Sequence, residues 1–113
     1  MSQITTHVLD VSVGRPAANV AVILETQSPA GHWAETARGT TDADGRLRDW
    51  PAAKVVAAGI YRLTFDTRAY FAARKVASLY PQVMILFEVR DAQEHYHIPL
   101  LLSPFGYSTY RGS

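Results

Sequence analysis

His7-Val8-Leu9-Asp10-Val11-Ser12-Val13 is the stretch on which the fold turns. At period two, His7, Leu9, Val11 and Val13 fall on one face, with Thr6, Val8, Asp10 and Ser12 on the other. That alternation is the pattern of a strand, not of a helix. Gly14-Arg15-Pro16-Ala17 follows and ends the strand in a turn, since glycine and proline punctuate extended chain.

The same rhythm continues outward. Val20 to Gln27 reads as a second strand, β-branched in its first half and broken by Ser28-Pro29-Ala30-Gly31. His32 to Thr40 reads as a third, alternating Trp33, Glu35 and Ala37 against Ala34, Thr36 and Arg38. Thr41-Asp42-Ala43-Asp44-Gly45 is a turn by composition, because aspartate side chains bond the local backbone and glycine tolerates positive φ. Arg46-Leu47 begins the return, and a Trp50-Pro51-Ala52-Ala53 loop leads to Gly59 and a strand over Ile60 to Phe65. The one helix expected lies between Thr67 and Leu79, with Asp66 or Thr67 as N-cap and Pro81 closing the segment. Val83 to Arg90 and His95 to Leu102 are further strands, separated by the polar turn Asp91 to Glu94. After the turn Ser103-Pro104-Phe105-Gly106, the segment Tyr107 to Ser113 forms a last strand or an extended tail. Short strands with turn signals between them, and a helix that does not alternate with them, predict an all-β antiparallel sandwich with one short α-helix.

Composition narrows the function classes. A chain of 113 residues is one domain, spanning 1–113, without room for a second core. Eleven Lys/Arg against ten Asp/Glu give a net charge of +1, which argues against a nucleic-acid partner. The longest apolar runs, Val83 to Phe87 and Ile98 to Leu102, are too short to span a bilayer, so no membrane partner is expected. The absence of cysteine removes disulfides, thiolate nucleophiles and Cys-ligated metal. Met1-Ser2-Gln3-Ile4 shows no secretory signal, and Arg111-Gly112-Ser113 is not a peroxisomal address, so a cytoplasmic location is expected.

Polar residues that could carry chemistry are few. Of the four histidines, His95 and His97 are spaced to project from one strand face, as zinc ligands can. A structural zinc needs four ligands and no cysteine can complete the set, so no metal is expected and the pair reads equally as a strand-edge contact. His7 is a candidate acid–base group because imidazole titrates nearest neutrality, or else a packing histidine. Arg46 reads two ways: a solvated arginine paired with Asp42 or Asp44, or an anion clamp using its rigid fork of donors. Tyr107-Ser108-Thr109-Tyr110-Arg111-Gly112-Ser113 is aromatic and hydroxyl-rich, unlike a disordered tail. Neither a Gly-x-Ser-x-Gly elbow nor a phosphate-binding loop is present.

Three segments together resemble one family. The opening Ile4-Thr5-Thr6-His7-Val8-Leu9-Asp10, the middle Thr41-Asp42-Ala43-Asp44-Gly45-Arg46 and the long ending from His97 through Tyr110-Arg111-Gly112-Ser113 look like 5-hydroxyisourate hydrolase, the transthyretin-related enzyme of urate breakdown. The resemblance implies a transthyretin-like sandwich of two four-stranded sheets. It implies a homotetramer, a dimer of dimers, with active sites where the dimers meet, and no cofactor. It implies opening of the six-membered ring of 5-hydroxyisourate to 2-oxo-4-hydroxy-4-carboxy-5-ureidoimidazoline. The family's functional positions fall on His7, Arg46, His97 and the Tyr110–Ser113 tail. His7 is the expected base, with His97 able to share the task. Arg46 holds the anionic substrate, Tyr110 positions it, and Ser113 or its carboxylate orients water or a histidine. His95 is read as structural. The alternative is a transthyretin-like carrier, which would need an apolar channel and would dispense with the His/Arg/tail set. A purely structural sandwich module would likewise tolerate changes at Arg46 and the terminus.

Overall fold

The computed structural model describes residues 2–50 and 56–113; the expected Pro51–Ala53 part of the loop lies outside them. Among the described residues the order is β1 (Ile4–Asp10), β2 (Arg15–Pro16), β3 (Ala21–Gln27), β4 (Trp33–Thr40), β5 (Arg46–Leu47), β6 (Gly59–Phe65), α1 (Thr67–Ala73), β7 (Val83–Val89), β8 (Tyr96–Ser103) and β9 (Gly106–Thr109). They form two layers, one sheet ordered β4-β3-β6-β7 and one ordered β2-β1-β8-β9 with β5 also on β1.

The expected sandwich is therefore present, and two details differ from expectation. One sheet has five strands, because two short ones share an edge of β1: β5 pairs at Thr6–His7 and β2 at Leu9–Asp10. The pairing of β1 with β8 is parallel, although every other pairing is antiparallel.

Alternation of burial places the core between the layers. Val8, Val22, Leu63, Phe65, Val83 and Leu100 are fully buried, and each such side chain contributes roughly 1.5–3 kcal/mol relative to exposure. The inward face of β1 also carries Thr6 and Asp10, and both are satisfied. Thr6 Oγ1 donates to the Ile98 carbonyl at 2.6 Å, and the Asp10 carboxylate accepts from the Tyr70 hydroxyl at 2.8 Å. That carboxylate and burial together raise the Tyr70 pKa to about 12, burial being the larger cause.

Two elements end well short of their expected bounds, and a third carries a bulge. The first strand ends at Asp10 rather than Val13, because the Asp10 carboxylate accepts the Ser12 N–H at 3.1 Å and turns the chain, leaving Val11 and Val13 exposed. The helix stops at Ala73 rather than Leu79. Its inward residues are Thr67, Tyr70 and Phe71, and the next inward positions are Arg74 and Lys75, which offer no apolar surface to bury. Lys75 takes a left-handed φ of 59° and its N–H bonds the Ala72 carbonyl, closing the turn. In β4 the register skips Thr36 between the pairs Leu24↔Ala37 and Glu25↔Glu35. That bulge turns Ala37 into the core while Glu35 stays exposed.

Candidate active site

The outward face of β1 and its neighbours assembles the polar residues. His7 stands opposite Arg46 on β5, and Thr5 stands opposite His97 on β8. Both registers have local causes. Asp42 Oδ1 accepts the N–H groups of Asp44 and Arg46 at 2.9 and 3.0 Å, which closes the turn before β5. Gly45, at φ +74°, lets that turn press against β1: a Cβ there would lie 2.4 Å from the Val8 carbonyl oxygen, which leaves no room for a side chain. The Val8 N–H then donates to the Gly45 carbonyl at 2.8 Å, locking Arg46 beside His7.

The tail crosses this face along β8. The Gly112 N–H donates to the His97 carbonyl at 2.8 Å. A Cβ on Gly112 would lie 2.6 Å from His97 Cδ2 and 3.1 Å from Pro99 Cγ, so only glycine passes this close to the ring. Arg111 anchors the approach, its guanidinium 4.4 Å over the Tyr96 ring and its Nη2 donating to the His95 carbonyl at 3.1 Å. Ser113 is thereby delivered to a cavity of 280 Å³ lined by Thr5, Arg46, Arg48, His95, His97 and Ser113.

Electrostatics suit these groups to proton transfer. Burial, and then the Arg46 cation, hold His7 below the usual imidazole value of 6.5. The Asp44 backbone carbonyl accepts a hydrogen bond from the His7 ring and, with the Asp42 and Asp44 carboxylates, opposes that shift. With one ring nitrogen so engaged, the other keeps its lone pair. His97 is held below 6.5 by burial first, then by Arg46, His7 and His95. Both rings are accordingly neutral bases at neutral pH. No carboxylate among the described residues forms an ion pair with the Arg46 guanidinium. Asp42 binds the backbone of Arg46 instead, which favours the anion-clamp reading over the solvated one.

The sequence-derived candidates divide accordingly. Arg46, His97 and Ser113 line one cavity, while His7 stands beside it, opposite Arg46, without lining it. Tyr110 is 58% exposed and does not line the cavity of its own chain. Three lining residues were not among the candidates: Thr5, Arg48 and His95. Alternation offered a signal for the first two, since Thr5 and Arg48 each lie two residues from a candidate in extended chain. The His95/His97 pair shares the Thr5 hydroxyl, and no group of three His, Cys, Asp or Glu among the described residues is arranged to hold a metal ion. A larger cavity, 620 Å³, lies against the other sheet around Ile23, Arg38, Thr64 and Arg68. It contains neither a histidine nor an activated nucleophile, so size alone does not mark the reactive site.

A two-layer sandwich carrying a histidine–arginine cluster on one outer sheet face, overlaid by its own tail, defines a transthyretin-class protein with a polar candidate site. Residues 4–112 match the model of the HIUase/Transthyretin family, and the chain belongs to that family. The 5-hydroxyisourate hydrolase of Salmonella dublin is 44% identical over 111 residues, spanning 97% of this chain and 80% of that protein. The structure of Klebsiella pneumoniae 5-hydroxyisourate hydrolase matches with a TM-score of 0.84 at 38% identity, covering 97% of this chain and 98% of that one. Sea bream transthyretin in complex with thyroxine matches with a TM-score of 0.91 at 32% identity, covering 97% and 94%. The backbone fits the thyroxine-bound relative at least as well as the hydrolase, so the distinction between them falls to side chains.

Proposed function

We propose that this chain hydrolyses 5-hydroxyisourate to 2-oxo-4-hydroxy-4-carboxy-5-ureidoimidazoline in urate degradation. The observation that carries the reading is an arginine with no ion pair among the described residues, on the wall of one cavity with His97 and opposite His7 on the neighbouring strand, both imidazoles being held below 6.5. Each need of the reaction has a candidate in this set. The lone-pair nitrogen of His7 takes a proton from water, and the resulting hydroxide adds to the substrate carbonyl carbon. Arg46 stabilises the oxyanion that forms and holds the anionic ring through its fork. The C–N bond then breaks as the leaving nitrogen takes a proton back from the imidazolium, so no net proton remains on the protein. Ser113 orients the water or a histidine, and the second cation of the cavity, Arg48, adds to the attraction for an anion.

The reading includes a homotetramer, a dimer of dimers, with cavities facing one another where the dimers meet. Its support is that two of the sheet edges, β7 and β9, carry exposed apolar side chains. Met84 and Leu86 are exposed on the first, and Phe105 and Tyr107 lie exposed at the second. Unpaired apolar edges favour pairing with another copy. Tyr110, exposed on its own chain, would then contact substrate from a neighbouring subunit. A cytoplasmic location accords with a chain that has no cysteine to oxidise.

The test generates 5-hydroxyisourate from urate with urate oxidase and follows its ultraviolet decay with and without the protein. Acceleration is the expected result. Unchanged decay with folded protein would sink the hydrolase and favour a thyroxine-type binder, for which the 0.91 structural match speaks. Light scattering should give four chains per particle.

The tail makes its own prediction. Gly112→Ala pushes the chain off the His97 ring and displaces Ser113, at a cost of about a hundredfold in kcat/KM, as for a catalytic group moved by about 1 Å. The thermal midpoint should barely change, since Gly112 lies on the outer sheet face. Wild-type turnover in this variant would remove Ser113 from the mechanism.

A further inference from the structure

Thr5 is only 2% exposed, yet its side-chain oxygen serves two imidazoles: Oγ1 lies 2.8 Å from His97 Nδ1 and 3.0 Å from His95 Nε2. A hydroxyl has one proton to donate. Between two neutral rings it donates to one and accepts from the other, so the two tautomers are tied together. When Thr5 donates to His95 Nε2, His97 must donate from Nδ1, and His97 Nε2 is left as a lone-pair acceptor. When Thr5 donates to His97 Nδ1, His97 Nε2 carries the hydrogen and cannot accept.

We infer that Thr5 and His95 are positioning residues, which set the tautomer of His97 and carry its proton out to solvent. The inference rests on the hydrolase reading and extends it to two residues outside the expected set. The Arg46 and Arg48 cations lining the same cavity favour a lone pair over an N–H on the remaining His97 nitrogen, and so favour the accepting tautomer. The acid proton of the newly formed carboxyl group, taken up at His97 Nε2, then releases the Nδ1 proton to Thr5 Oγ1, while the Thr5 hydroxyl proton passes to His95 Nε2. His97 and Thr5 end with their charges unchanged, and the positive charge rests on His95.

That displacement matters because of what surrounds each ring. His97 feels Arg46, His7 and His95, and shares its cavity with Arg48 and the uncharged Ser113 side chain. Burial and these neighbours, Arg46 first among them, oppose an imidazolium at His97. His95 is exposed to water, and its neighbour Glu94 lies 3.4 Å from Arg111. A charge placed there is solvated, and its proton exchanges with bulk water while substrate fills the cavity. The two rings lie near-parallel, 22° apart with centroids 6.3 Å apart, and the hydroxyl that joins them is buried.

The experiment reads the His97 ring nitrogens by long-range proton–nitrogen NMR, with the pH profile of kcat/KM, in Thr5→Val, Thr5→Ser and His95→Ala. Wild type is expected to show His97 protonated at Nδ1. Thr5→Val and His95→Ala should shift it toward the Nε2 form and lower kcat about tenfold with KM retained, the scale of one lost hydrogen bond. Thr5→Ser should restore both. An unchanged His97 tautomer and a superimposable pH profile in Thr5→Val and His95→Ala would overturn the inference. His95 is exposed, so its alanine variant keeps the test decisive where buried Thr5→Val fails to fold. A wild type without turnover would overturn the hydrolase reading, while the tautomer measurement, made without substrate, still decides this one.

Discussion

Replacing His7 with alanine should lower kcat/KM for 5-hydroxyisourate by roughly two to four orders of magnitude, the range supplied by a positioned general base. Folding should survive, because the core face of β1 belongs to Thr6 and Val8 and His7 lies on the other. The pH profile carries the argument further. A base works only while unprotonated, and both His7 and His97 are held below 6.5. Wild-type kcat/KM should therefore be level at neutral pH and begin to fall only below 6.5, as the rings take up protons. The stability sign agrees: the unfolded chain binds these protons at higher pH than the folded one, so acidification below 6.5 also weakens the fold. In His7→Ala the residual activity should keep an acid limb, now set by His97. Stopped-flow absorbance on freshly generated substrate, with circular dichroism as the folding control, would check this. Near-normal turnover in a folded variant would transfer the base role to His97.

How much of this was legible in the sequence follows from which interactions are local. Strands ended by Gly, Pro or Asp could be read because alternation and turn chemistry act over a few residues. The errors arose where a boundary depends on tertiary burial: Val11 and Val13 continue the alternation, but the Asp10 turn carries them into solvent. The helix likewise ends where its inward positions become Arg74 and Lys75, which requires knowing the direction of the core. The parallel register of β1 with β8 joins Thr5 to His97 across most of the chain, and no local pattern encodes it. For that reason the site was visible as separate residues, largely through family resemblance, while Thr5 and His95 were not visible as members. Arg46 shows the same limit. Its two readings could not be separated until Gly45 and Asp42 fixed where its backbone runs.

Arg46 also gives the second large effect. Arg46→Lys should lower kcat/KM by roughly a hundredfold, the loss seen when one oxyanion-stabilising donor is removed, because an ammonium keeps the charge but loses the bidentate fork. On the proposed mechanism the arginine has two separable jobs, holding an anion and depressing the neighbouring imidazoles, and lysine preserves only the second. The acid limb of the pH profile should therefore stay where it is in Arg46→Lys while the plateau drops. In Arg46→Ala the plateau should drop further and the limb should move up toward 6.5, since Arg46 is the second-largest cause of the depression at both His7 and His97, after burial. The comparison separates geometry from charge within one position. A lysine variant with a wild-type plateau would make Arg46 a source of field alone, and the oxyanion would then have to be met by Arg48, the other cation lining the cavity.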